Sequence, residues 1–151
     1  MQERLPLLAA ALWWGSLSAI GFVVVPLLFV HLPTPALAGA MAARLFEAQT
    51  FISIACGALL LVLSKRKYAE VEDAWARAAM VFIIGGLLLA LVSQYGVSPR
   101  IVARQNLKVW HSVGTVLYAL QWLCALLVLW RIARPLVSAP AMPPAAATTA
   151  D

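Results

Sequence analysis

The chain has 151 residues, of which 64% are hydrophobic and 11% charged, and a formal net charge of +5. A soluble domain is about half apolar and a quarter charged and needs polar cover, so this composition excludes an ordinary soluble fold and makes lipid the expected solvent. The basic balance does not point to nucleic acid either, because the eleven Lys and Arg flank apolar runs and form no patch with reading residues between them.

Four apolar runs follow one another, at about 5–32, 36–64, 77–97 and 109–130. A spanning helix needs about 20 apolar residues, so each run is long enough to cross a bilayer. The first could be mistaken for a signal peptide, since Ala36-Leu37-Ala38 follows it as a small-residue pattern. A signal core has about 7–15 apolar residues, and this run is far longer, so it reads as a retained helix. Connections are short: "HLPTP" turns between the first two runs, and "KRKYAEVEDAW" is a solvated polar loop. Ser98 followed by Pro99 reads as an N-cap with proline in the first turn, which starts the fourth helix near residue 99. The tail, 135–151, is rich in Pro and Ala without apolar periodicity and is expected to be disordered. The expected fold is all-α: an integral membrane four-helix bundle over 1–134 with short connections.

Lys and Arg distribution orients such a bundle. Arg4, Lys65, Arg66, Lys67, Arg77, Arg131 and Arg134 fall on one side, and Arg44, Arg100, Arg104 and Lys108 on the other. Seven against four places both termini in the cytoplasm. Trp110 and Trp130 bracket the fourth run about 30 Å apart, the spacing of two interfacial belts. Gly15 with Ala19, and Gly85 with Gly86, are candidate points of close helix approach.

Phosphate-cradling loops, HExxH and nucleophile elbows are all missing, so an enzyme is not expected. Cys56 and Cys124 fall inside apolar runs and read as small hydrophobes. Of six acidic residues only Glu47 lies inside an apolar run, and Arg44, three residues earlier, shares its helix face. The bland reading is a local ion pair near the interface. The sharper one is an acid that gathers cations from another helix. On a helix unbroken from Pro99, Arg100, Arg104, Lys108 and His111 fall on one broad face, continued by Thr115 and Tyr118 with Gln121 at its margin. The alternative is that the cations snorkel to headgroups and the polar groups bond to neighbouring helices. His31 and His111, at helix ends on one side, form a minority haem- or copper-ligand pair.

"GFVVVPLLFVHL", "AGAMAARLFEAQTFIS" and "SPRIVARQNLKVWHSVGTVLYALQWLCALLVLW" resemble the bacterial family called domain of unknown function 4149, which is related to eukaryotic transmembrane protein 205. The resemblance covers nearly everything but the tail. It implies a small four-helix membrane protein without an established activity, in the bacterial inner membrane. Its family-like positions here are Pro26, Phe29, Arg44, Phe46 and His111.

Two functional expectations therefore stand. One is a non-enzymatic, cofactor-free membrane protein whose outward cluster of Arg44, Glu47, Arg100, Arg104 and His111 binds an anionic lipid headgroup, a small anion or a partner protein. The other is a haem- or copper-binding redox protein using His31 and His111. A small-molecule transporter is a third, and it would require a homo-oligomer.

Overall fold

The computed structural model describes the backbone of residues 4–68 and 74–137 and the side chains of 4–64 and 79–134. Every described element is helical: α1 (Leu5–Ala19), a π-turn (Ile20–Val24), α2 (Val25–His31), α3 (Pro35–Tyr68), α4 (Ala74–Leu91), a second π-turn (Val92–Val97), α5 (Ser98–Val102) and α6 (Leu107–Val137). They make four apolar spans, Leu5–His31, Pro35–Ser64, Ala79–Val102 and Leu107–Arg134. Neighbours in sequence are neighbours in space, and the first span closes the ring against the fourth. This up-and-down order follows from connections too short to reach anything but the adjacent helix. One end of the bundle carries the two turns at 32–34 and 103–106. The opposite end carries Arg4 and Arg134.

Large apolar side chains line the outside, among them Leu8, Leu12, Phe22, Val30, Val81, Leu88 and Val116, all exposed. In water this would be an aggregation surface; in a bilayer it is the face that lipid solvates. The interior is correspondingly small. Ala9, Ala10, Trp13, Leu17, Cys56, Leu60, Ile83, Ala125 and Val128 form the buried cluster. Trp13 crosses to the third span, where a Cβ on Gly86 would stand 2.8 Å from its ring, and Leu87 fills the equivalent space over Gly57. Glycine is therefore required at 57 and 86 for close approach. Gly15 and Gly85, by contrast, face nothing within 4 Å, and Ala19 is exposed, so the pairing of Gly15 with Ala19 is not a helix contact.

Two dipeptides of the same chemistry behave differently. Thr34-Pro35 starts a helix: the Leu37 N–H donates to Thr34 Oγ1 at 3.2 Å, and Ala38 donates to the Thr34 carbonyl. Ser98-Pro99, expected to start the fourth helix, lies inside the third span instead. The preceding π-turn carries the helix through it, with the Ser98 N–H reaching five residues back to Ser93. A wide turn tolerates the missing proline N–H and relieves the clash of its ring with the carbonyl four residues back. The helix then ends in a Schellman motif: Arg104 donates to Ile101 and Gln105 to Arg100, with Arg104 at φ 55°. Asn106 follows at φ 38°, and its carbonyl accepts from Val109 and Trp110 to open α6.

The first span repeats the device. Its π-turn precedes Pro26, with the Val25 N–H bonded five residues back to Ile20. Helix α6 runs to Val137, taking in the first three residues of the expected tail. Residues 69–73 of the polar connection and 138–151 of the tail lie outside the described residues.

Candidate functional site

The expected cluster on one unbroken fourth-helix face is not formed as such, because its helix does not exist. Arg100 belongs to α5 at the end of the third span, Arg104 occupies the left-handed position of the turn, and Lys108 and His111 belong to α6. All four are exposed. The Arg100 guanidinium caps the Gly96 carbonyl, one turn back in the π-segment, and lies 4.5 Å over the Trp110 ring of the fourth span. Pro26 and Phe29 are exposed at the end of the first span, and His31 terminates it, also exposed.

The Arg44–Glu47 pair is made as its spacing implies, at 3.2 Å, with the side chains 80% and 42% exposed. The bland reading of this pair is the one its exposure supports. No hydrogen bond or ion pair among the described residues joins Glu47 to Arg100, Arg104 or His111. Second and fourth spans stand diagonally across the bundle, with no Cα pair within 8 Å among the described residues. What the structure does assemble at this end, among the described residues, is a set of exposed cations with one carboxylate, already engaged by Arg44. Among the described residues no three His, Cys, Asp or Glu come together as a metal-binding group.

A second polar constellation lies deeper, and most of it was missed in the sequence. Gln49 and Gln121 each stand fourteen residues, about 21 Å, from their helix starts at Pro35 and Leu107, and Ser16 stands fifteen from His31. Three spans thus carry polar side chains to one depth. Gln49 Nε2 donates to Ser16 Oγ at 3.0 Å and to Ser53 Oγ at 3.4 Å, and Gln121 Nε2 donates to Ser53 Oγ at 3.0 Å. Ser53 Oγ donates in turn to the Gln49 carbonyl, so this hydroxyl is saturated, with one bond given and two accepted. Gln49, Ser53 and Gln121 are all buried. Gln49 Oε1 has no partner, as do the buried Nε1 atoms of Trp13 and Trp14.

Aromatic groups flank this seam on the first-span side. Trp122 Nε1 donates to Ser18 Oγ at 2.8 Å, and its ring packs against Trp14 and, edge-on, Phe22. Phe46, a family-like position, sets its ring against Tyr118 with centroids 5.2 Å apart. The Tyr118 hydroxyl donates to the Leu17 carbonyl at 2.7 Å. A signal for the seam was present: Gln49 and Ser53 are four apart in an apolar run, and a polar side chain there must find a partner. Which partner is a matter of helix packing.

The family model for a domain of unknown function, DUF4149, matches residues 8–109. No curated protein and no solved structure matches the chain.

Proposed function

We propose that this chain, which belongs to the DUF4149 family of unknown function, is a non-enzymatic multi-pass membrane protein that binds anionic phospholipid headgroups at its two-turn end. The observation that carries the reading is charge. Arg44, Arg100, Arg104 and Lys108 are exposed there, and among the described acids Glu47 alone opposes them, held by Arg44. Cations at headgroup level attract anionic lipid by about 1 kcal/mol each near the surface. Trp110, half-buried beside Arg100, belongs to the interfacial belt that sets this level. His111 supplies a further donor on the same helix as Lys108.

Native mass spectrometry of the protein from nanodiscs of mixed phosphatidylglycerol and phosphatidylcholine tests this directly. Retention should favour phosphatidylglycerol, weaken with salt, and fall in Arg100→Gln/Lys108→Gln and in His111→Ala, while thermal stability changes little. Equal retention of the two lipids would overturn the reading.

Kinship with eukaryotic transmembrane protein 205 and residence in a bacterial inner membrane accord with the family resemblance, and the Lys and Arg bias favours cytoplasmic termini. Cysteines introduced at Glu70 and Gln105 should then label from opposite sides, Gln105 from the periplasm. Periplasmic labelling at Glu70 reverses the orientation.

A further inference from the structure

The first span widens at a place where a side chain from another helix bonds to its backbone. In an unbroken α-helix the Gly21 N–H would bond to the Leu17 carbonyl, four residues back. Here the Tyr118 hydroxyl of the fourth span reaches that carbonyl. It donates to the Leu17 carbonyl at 2.7 Å, and its ring lies against the Gly21 backbone. The Ile20 N–H is shared between the Leu17 and Ser16 carbonyls at the end of α1. Immediately beyond, Ile20–Val24 widens into the π-turn. Insertion of a side chain into the ladder is one of the few physical causes of such a break, and Pro26, with no N–H to offer, prevents the next turn from closing it.

The fit of the intruding ring is specific. A Cβ at Gly21 would stand 2.5 Å from Tyr118 Cε1, so only glycine admits the ring to the backbone. Phe46 of the second span closes on the other side, edge-on. Tyr118 thus touches the first span through its oxygen and ring and the second through its ring, from a backbone on the fourth.

We propose that Tyr118 is a lock: its hydroxyl holds the wide turn of the first span open and so sets the direction of Val25–His31 relative to the fourth span. A π-turn contains one residue more than the α-turn it replaces, and each residue advances an α-helix by about 100° and 1.5 Å. Opening or closing that turn therefore swings everything beyond it. The swinging segment carries Phe29 and His31, at the end that also bears the exposed cations. Withdrawal of that hydroxyl would release the Leu17 carbonyl and the Gly21 backbone from the fourth span, so the position of the fourth span is transmitted through the wide turn to the His31 end. The third span carries a like π-turn before Pro99, where the Gly96 carbonyl accepts from the Arg100 guanidinium of its own helix. That break is satisfied locally. The side-chain bond beside the first comes from a neighbouring span.

The test uses the full chain in nanodiscs, with spin labels at His31→Cys and Lys108→Cys, both exposed, in a Cys56→Ala/Cys124→Ala background. Wild-type Tyr118 should give one narrow distance. Tyr118→Phe keeps the ring and removes the oxygen, and should shift or broaden that distance by an amount on the order of 5 Å, the swing of a side chain at helix radius. Gly21→Ala expels the ring while keeping its hydroxyl, and should give the same displacement. It keeps the question answerable if Tyr118→Phe folds poorly. Trp122→Phe removes a comparable bond, to Ser18, one turn away, and should leave the distance unchanged. An unchanged distance in Tyr118→Phe and Gly21→Ala, or an equal change in Trp122→Phe, would overturn the lock. Lipid retention is read separately, so the headgroup proposal can fail without affecting this one.

Discussion

The two halves of this bundle are held by different means. In the half toward Arg4 and Arg134, straight helices press Trp13, Leu60, Ile83 and Val128 into a buried cluster, and Gly86 and Gly57 let backbone and side chain come close. In the half toward the two turns, described buried apolar residues shrink to Ala38, Ala42, Ala90 and Val97, two of four spans are broken before a proline, and the charged groups are exposed. The polar seam of Ser16, Gln49, Ser53 and Gln121 divides them. Lipid tails are as apolar as leucine, so burial from lipid yields no hydrophobic gain, and close packing with internal hydrogen bonds must hold the helices. One half meets that requirement. The other gives up packing for wide turns and a cationic rim, where rearrangement and lipid contact cost least.

The sharpest way to break the contrast is at Trp13. It is fully buried and spans the bundle to Gly86, so Trp13→Ala should cost about 3–5 kcal/mol, read as loss of thermal stability in detergent. A comparable loss from Phe29→Ala, exposed at the opposite end, would erase the distinction between the halves.

The seam should rank second. Ser53→Ala removes the oxygen that accepts from both glutamines, and its cost should be about 1–2 kcal/mol, the scale of hydrogen bonds between membrane helices. Gln121→Leu should cost less, because it deletes the donor together with its need for a partner. The reverse order, from denaturation in matched detergent, would place the critical bond elsewhere.

At the rim, effects on stability should be small. Glu47→Gln breaks an exposed pair and should change stability by under about 1 kcal/mol, while raising phosphatidylglycerol retention by removing the one described carboxylate there. Arg104→Gly should slightly stabilise, by about 0.5–1 kcal/mol, since the left-handed backbone that Arg104 occupies suits glycine. The same substitution deletes a cation and should lower lipid retention, which separates folding from binding at one residue.

Much of this architecture was written locally. Four apolar runs, their order and the Arg44–Glu47 pair depend on neighbours within a few residues, and hydrophobic length alone decides that a helix of this composition crosses a membrane. Thr34-Pro35 caps a helix as its chemistry suggests. Tertiary structure decided the rest. Ser98-Pro99 has the same local chemistry and is not a start, because a π-turn carries the third helix through it, and a Schellman motif with arginine in the glycine position ends that helix four residues later. Gln49 needed a partner by composition, yet only the packing of three helices at one depth chose Ser16 and Ser53 for it. Gly21 reads as one more membrane glycine until Tyr118, 97 residues away in sequence, is brought against its backbone. Such pairings join groups whose separation along the chain carries no information, and geometry alone supplies it.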